Sequence, residues 1–215
     1  HGLMLALQGE AEENGAVIAF RSPVMGGMVG EDGVELQVGG DDPVRLLARS
    51  VVVAAGLASC PVARSLGLPG VPQDYLCKGN YFTLTGRMPF QHLVYPVPVA
   101  AGLGVHYTID LAGRGRFGPD VEWIGQQDYS VDPRRADAFY GAIRRYWPDL
   151  PDGALEPAYA GIRPKIQAPD QPACDFMIHS SRQHGVPGVV ALYGIESPGL
   201  TACLAIADLV KEMVD

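Results

Sequence analysis

The segment from Val186 to Thr201 constrains the fold most, because it joins an apolar run, a glycine-containing turn and a helix start. Val186 to Tyr193 has the length and composition of a buried strand. Gly194 to Gly199 then turns the chain, and a helix is predicted from Leu200. Unpaired amide N–H groups and the positive dipole end at such a helix start favour an anion or an electron-rich carbonyl. The segment therefore predicts a ligand-binding turn in an α/β unit.

A second feature is Arg163, which is followed by Pro164. The planar guanidinium can hold a carboxylate through two parallel charge-assisted hydrogen bonds, and the proline restricts the backbone beside it. An arginine in this setting is also typical of a surface ion pair. Together with the glycine turn, Arg163 favours a flavin site that takes a carboxylate substrate.

The composition indicates a globular chain and argues against several classes of protein. With 215 residues, 47% of them hydrophobic and 19% charged, the chain can bury a core in one or two domains. A net charge of −8 opposes binding to nucleic acid, whose affinity comes largely from Lys and Arg on phosphates. No run of 18 apolar residues occurs, so no transmembrane segment is predicted. Peripheral contact with a membrane stays open.

The cysteines and histidines predict no metal site. None of the four cysteines forms a Cys-x-x-Cys pair, and no histidine stands near one at the spacing of a zinc site. We therefore interpret the cysteines as reduced thiols that are mostly buried. These residues are Cys60, Cys77, Cys174 and Cys203, with His1, His92, His106, His179 and His184.

Both ends of the chain have the pattern of an α/β domain. Leu3 to Glu13 predicts a helix that ends at Asn14-Gly15, and a strand is predicted over Ala16–Phe20. Hairpin turns follow, around Asp32-Gly33 and over Gly39 to Asp42, and then an apolar strand over Arg49–Ala55. Leu200 to Met213 predicts a closing helix.

The middle of the chain, from Tyr75 to about Gln183, predicts a largely antiparallel sheet with one helix. The helix begins at the cap Asp132 and ends before Pro148, and its aromatic residues are more typical of a core than of a stacking platform. The predicted strands are Tyr81–Leu84, His92–Tyr95, Gly104–Ile109, Leu155–Ile162 and Asp175–Ile178.

Several long strings resemble the L-2-hydroxyglutarate dehydrogenase/oxidase family, within the D-amino-acid-oxidase-like FAD-dependent oxidoreductases. The strings are Lys78–Phe82, Leu93–Pro98, Gly102–His106, Arg116–Trp123 and Gly194–Thr201. The resemblance implies FAD as cofactor, a small 2-hydroxy acid as substrate and oxygen, a quinone or a flavoprotein as electron acceptor. It also implies a cytoplasmic protein or one peripheral at the cytoplasmic membrane.

The resemblance implies α/β plus α+β architecture: a Rossmann-like FAD-binding domain interrupted by a substrate domain with a largely antiparallel sheet. We expect residues 1–74 and 185–215 to form the FAD-binding part and residues 75–184 the substrate part. The unit of a strand, a Gly-x-Gly-x-x-Gly turn and a helix that holds the FAD pyrophosphate is not found in this sequence. We therefore expect that an N-terminal part is absent, that this chain alone binds FAD poorly and is inactive, and that export stays open.

The family pattern assigns cofactor contacts to the first predicted domain. Without the resemblance, the same residues suit a buried strand followed by a turn glycine, so that alternative stays open. The implied contacts are Val24, Ala54, Ala55, Gly56, Gly194, Ile195, Ser197, Pro198, Gly199, Leu200 and Thr201.

The candidate catalytic residues are Arg163 and His106. The resemblance makes Arg163 the carboxylate clamp, and an imidazole is a natural base for a hydroxyl proton. His106 could equally be a half-buried structural histidine, or the base could lie in an absent part. Tyr95 and Lys165 are candidate donors to a second carboxylate. The alternative functions are an amino acid or amine oxidase of the glycine or sarcosine oxidase type, and a non-catalytic interaction domain.

Overall fold

The structure, a computed structural model, describes residues 1–97 and 104–214. Pro98, Gly102 and Leu103 of the family-like strings lie outside the described residues. The helices are α1 Gly2–Glu13, α2 Ser59–Ser65, α3 Ala136–Ile143, α4 Ser181–His184 and α5 Gly199–Val214, with 3-10 turns at Gly56–Ala58 and Pro133–Arg135. The strands are β1 Val24–Gly30, β2 Gly33–Val38, β3 Val44–Ala48, β4 Val51–Val53, β5 Tyr75–Leu84, β6 His106–Ile109, β7 Gly115–Gly118, β8 Glu122–Ile124, β9 Leu155–Lys165, β10 Met177–His179 and β11 Val189–Tyr193.

The first sheet is an antiparallel meander, in the order β1-β2-β3. Its turns lie where the Asp32-Gly33 pair and the Gly39–Asp42 run predict them. At Gly33 the backbone has a φ of +133°, and an added Cβ would collide with the carbonyl of Ala48. Glycine is therefore needed for the first hairpin to close against β3.

The second sheet has the order β10-β11-β4, with β11 parallel to β4 and antiparallel to β10. Every residue of β11 is buried, which suits a strand covered on both faces. Val53, Ala191 and Tyr193 pack in one core with residues of α2. The strand predicted over Arg49–Ala55 is present, but only Val51–Val53 is paired.

The third and largest sheet has five strands, and β5 pairs with three of them. One edge of β5 pairs with β9 along its whole length, and the other edge pairs first with β8 and then with β7. Within residues 1–97 and 104–214, β9 pairs only with β5. This edge position explains why β9 tolerates Pro157 and Pro164, since neither has an N–H for a further strand.

Alternate residues of β5 face opposite sides of this sheet. Phe82 lies on one side, with Tyr107 and Phe117 from β6 and β7, and α3 covers them with Phe139 and Ile143. All five side chains are fully buried. This side, called the closed face below, is the core of the middle unit. The cap predicted at Asp132 is confirmed, because its carboxylate accepts the N–H of Arg134.

Three predicted strands differ in the structure. Ala16–Phe20 does not form a strand, and its prediction is wrong: Val17 is 92% exposed and Phe20 73% exposed, and within the described residues no strand lies beside them. His92–Tyr95 is reduced to a single bridge of Val94 to Tyr107. Asp175–Ile178 becomes β10, which pairs with β11 in the second sheet rather than with β5. The domain division itself stays a prediction.

Candidate functional site

Arg163 lies on the side of the large sheet that α3 does not cover, called the open face below. It stands opposite Cys77 in the pairing of β9 with β5, so Arg163 and Lys165 share this face with Gly79 and Tyr81. The strand β9 continues through Pro164 to Lys165. The side chain of Arg163 is 27% exposed, so its guanidinium is partly desolvated but reachable.

Gly79 makes room for the guanidinium of Arg163. A Cβ at position 79 would lie 3.2 Å from Nη1, 3.4 Å from Nη2 and 2.7 Å from the Cβ of Pro119. The Nη edge of the arginine therefore rests directly against the backbone of β5. Any larger residue at position 79 would displace the guanidinium or Pro119.

His106 begins β6 and is 7% exposed. Its ring stacks on Tyr95, with centroids 4.5 Å apart and planes at 9°. Burial lowers its pKa from the ordinary value of 6.5, the backbone of Gly104 acts in the opposite direction, and the charge of Arg163 lowers the pKa further. The imidazole is therefore largely neutral at pH 7, and its buried Nδ1 has no hydrogen-bond partner within the described residues.

Two stacked tyrosines extend the open face beyond Arg163. Tyr81 and Tyr159 stack with centroids 4.6 Å apart, and the guanidinium of Arg116 lies 5.2 Å from the ring of Tyr159. Burial first, and the neighbouring Tyr159 next, raise the pKa of Tyr81 to about 12. Tyr81 thus keeps its proton at neutral pH and can act as a hydrogen-bond donor on this face.

Glu196 connects the open face to the turn that follows β11. Its carboxylate pairs with the ammonium of Lys165 and lies 3.7 Å from Nε of Arg163. The side chains of Lys165 and Glu196 are 16% and 15% exposed. The candidate substrate contact Lys165 therefore already has a carboxylate partner in the protein.

The start of α5 has the form that the glycine turn predicts. The N–H of Gly199 donates to the carbonyl of Glu196, and that of Ala202 donates to Pro198. The N–H groups of Leu200 and Thr201 have no acceptor among the residues that the structure describes. An added Cβ at Gly199 would lie 2.7 Å from Ile195, so the turn closes tightly only with glycine there.

Three of the predicted cofactor residues, Ala54, Ile195 and Gly199, line a common cavity of about 520 Å³. The cavity lies between β4, β11 and α5, and its further lining includes Val52, Leu192 and Cys203. Val24 instead begins β1 in the first sheet, while Ala55 and Gly56 lead into a 3-10 turn. The structure thus groups part of this predicted set and leaves Val24 in another sheet.

The site includes residues that the sequence analysis did not select as site residues. Gly79, Glu196 and Tyr159 contact or adjoin Arg163 or Tyr81 on the open face. For Glu196 a signal existed, because it is the single charged residue between Gly194 and Gly199. Gly79 and Tyr159 gave no signal, since their roles come from strand register. Within the described ranges, no group of three or more His, Cys, Asp or Glu could hold a metal ion.

Comparison with known proteins supports a common origin over nearly the whole chain. Residues 1–213 match the family described as "FAD dependent oxidoreductase". A mitochondrial L-2-hydroxyglutarate dehydrogenase of Arabidopsis thaliana is 45% identical over 95% of this chain and 47% of its own length. The chain therefore spans about half the length of this curated relative.

Solved structures show the same fold at lower identity. A dithionite-reduced L-alpha-glycerophosphate oxidase from Mycoplasma pneumoniae with FAD bound superposes with a TM-score of 0.79 and 24% identity, over 97% of this chain and 54% of its own. Glycine oxidase from Geobacillus kaustophilus superposes with a TM-score of 0.73 and 20% identity, over 98% of this chain and 52% of its own.

Proposed function

The chain belongs to the FAD-dependent oxidoreductase family, and from this premise we propose that it acts in the FAD-dependent oxidation of a small 2-hydroxy acid. The proposed substrate is L-2-hydroxyglutarate and the product 2-oxoglutarate, after the relative at 45% identity. The observation that carries the proposal is that a partly buried arginine and a buried histidine with a lowered pKa lie on one open face.

The residues present fit FAD. The amide groups of Leu200 and Thr201 at the start of α5 have no acceptor in the described part of the chain, and the positive end of the helix dipole favours an electron-rich carbonyl there. An added Cβ would meet Ile166 at Gly194 and Ile195 at Gly199, so the two glycines allow the turn to pack closely against these side chains. When bound, FAD supplies the acceptor for the hydride that leaves the α-carbon of the substrate.

Arg163 orients the substrate in this proposal. Its Nη edge, lying over Gly79, presents two parallel donors that match the two oxygens of a carboxylate. Fixing the carboxylate in this way fixes the α-carbon that is bonded directly to it, which is the main contribution of a positioning group. The partial burial of Arg163 strengthens the interaction relative to a surface ion pair.

His106 accepts the hydroxyl proton of the substrate as the hydride leaves. Because one proton and one hydride are lost together, the hydroxyl carbon becomes a carbonyl carbon and the charge of the substrate does not change. The lowered pKa keeps the imidazole unprotonated at neutral pH, as a base requires. Stacking on Tyr95 fixes the plane of the ring.

The second carboxylate of the substrate needs its own donor. Tyr95 is 59% exposed beside His106, and its hydroxyl could donate to that group. Lys165 contributes positive charge to the same face, although Glu196 already pairs with it.

No helix in residues 1–97 and 104–214 is long and apolar enough to cross a membrane.

Anaerobic absorbance titration of the protein produced from its complete reading frame and purified with FAD tests the proposal. We expect L-2-hydroxyglutarate to bleach the flavin band, and the D isomer and a panel of amino acids not to do so. His106→Gln should slow this bleaching by roughly 100-fold or more, because a general base typically contributes at least that much. Bleaching by amino acids alone would replace the proposal with amine oxidation.

A further inference from the structure

Glu196 is the charged residue of the turn before α5, and its carboxylate lies among the cations of the open face. One oxygen pairs with the ammonium of Lys165, and the other lies 3.7 Å from Nε of Arg163. We propose that Glu196 is a positioning residue that keeps Lys165 away from the substrate, so that the carboxylate beside the hydroxyl carbon binds only to Arg163. This inference rests on the proposed function.

The first step of the argument is geometric. Arg163 and Lys165 alternate on β9 and face the same side of the sheet, so without Glu196 both cations could reach a carboxylate placed there. A lysine is a flexible point charge, whereas an arginine holds a carboxylate in one orientation. A carboxylate bound to Lys165 would place the α-carbon of the substrate away from His106.

The second step concerns charge. Arg163 and Lys165 together carry two positive charges, and Glu196 reduces the sum to one, which matches the one substrate carboxylate beside the hydroxyl carbon. The second carboxylate is the one for which Tyr95 is the proposed donor. Because Glu196 lies near the Nε side of Arg163, the Nη edge over Gly79 is left for the substrate. Partial burial of the three side chains strengthens these pairs relative to surface ion pairs.

The third step is the location of Glu196 in the turn that starts α5. The same turn provides the N–H groups of Leu200 and Thr201 that we assign to FAD. The contacts of Glu196 with Arg163 and Lys165 therefore link the cofactor turn directly to the substrate clamp. A change at Glu196 should alter the alignment of substrate and cofactor more than it alters the strength of substrate binding.

The test is a double-mutant comparison in the protein produced from its complete reading frame. We expect Glu196→Gln to lower kcat about tenfold without raising KM, because the freed Lys165 binds substrate in an unproductive position. Adding Lys165→Met to Glu196→Gln should restore most of kcat. Glu31→Gln, in the exposed turn between β1 and β2, is the matched control and should change neither constant.

Two further measurements separate positioning from a structural role. The Kd of 2-oxoglutarate, from its perturbation of the flavin spectrum, should stay equal or fall in Glu196→Gln and return toward the wild-type value in the double variant. If Glu196→Gln does not retain flavin, recovery of flavin by adding Lys165→Met supports the proposal, and continued loss overturns it. If Lys165→Met leaves kcat low or lowers it further, the proposal is wrong.

Failure of the proposed function gives a different result. If amino acids but not 2-hydroxy acids bleach the flavin, the function is wrong, but the same comparison can be made with the amino acid, whose carboxylate also needs Arg163. If the wild-type protein retains no flavin, both proposals are overturned. If 2-hydroxy acids bleach the wild type and no rescue occurs, only the role of Glu196 is rejected.

Discussion

The closed and open faces of the large sheet come from the same strands and differ in almost every physical respect. On the closed face, Phe82 and Phe117 are fully buried against Phe139 of α3. On the open face, Arg163 and Tyr81 retain contact with solvent, and glycine replaces a side chain at position 79. The alternation of a strand thus separates the residues that hold the sheet together from those that we propose act on a substrate.

Cations on the two faces show the difference most clearly. Lys78 lies on the closed side and is 3% exposed, and it bonds to Asp128 at 3.1 Å with Glu122 at 3.9 Å. Arg163, which lies one pairing position away and on the open face, has one carboxylate at 3.7 Å from Nε. The charge of Lys78 is balanced within the protein, while Arg163 keeps donors for a ligand. A cation with unused donors is therefore the better guide to a binding site.

The largest expected effect is a loss of stability caused by a substitution on the closed face. Phe82→Ala should lower the free energy of unfolding by about 3–5 kcal/mol, since it leaves a cavity in a fully buried aromatic cluster. Urea denaturation measures the loss. Tyr159→Ala on the open face is the matched control. Because Tyr159 is 44% exposed, its replacement should lower the free energy of unfolding clearly less. Equal losses would show that the open face also carries the stability of the sheet.

A somewhat smaller effect concerns the open face alone. Arg163→Lys keeps the charge but removes the paired donors, so stabilisation of the transition state should fall by about 2–4 kcal/mol. The value of kcat/KM for the hydroxy acid should therefore fall roughly 30- to 1000-fold. Steady-state kinetics measure this loss, and the melting temperature should change little. Unchanged kcat and KM would contradict the role of Arg163 as the clamp.

The smallest expected effect sharpens the comparison within the open face. Tyr95→Ala exposes His106 to solvent, which reduces the desolvation that lowers its pKa, so the pKa rises toward 6.5. A base with a higher pKa is protonated at a higher pH, so the acid limb of the pH profile of kcat/KM should move to higher pH.

The control for this prediction is Tyr95→Phe. It keeps the stacked ring, so the acid limb should stay in place, while a rise in KM would report loss of a hydroxyl contact with the second carboxylate. An acid limb that moves downward in Tyr95→Ala would mean that Tyr95 does not desolvate His106.

Much of the fold could be predicted because it depends on local patterns. The helices α1 and α3, the two hairpin turns and the buried strand β11 follow from caps, glycines and apolar periodicity. Strands β7 and β8 were not predicted, since each has at most four residues and β7 begins and ends with glycine. Ala16–Phe20 has the composition of a strand, but a strand forms only where a neighbour offers hydrogen bonds.

The candidate site could be predicted only in part. Arg163, His106 and the turn before α5 were selected from residue type and from family resemblance, and the structure brings Arg163, His106 and Glu196 of that turn to the open face. The role of Gly79 depends on the register of β5 against β9, which no sequence pattern specifies. The role of Glu196 depends on the contact of its turn with β9, and these two segments are far apart along the chain.

The two prolines of β9 also affect how the protein behaves in concentrated solution. A long outer strand normally offers a row of N–H and C=O groups on which another chain can polymerise. Pro157 and Pro164 interrupt that row, and Pro164 does so beside Arg163. We therefore expect the strand that carries the proposed clamp to resist pairing with another chain, and we expect replacement of Pro164 to increase self-association.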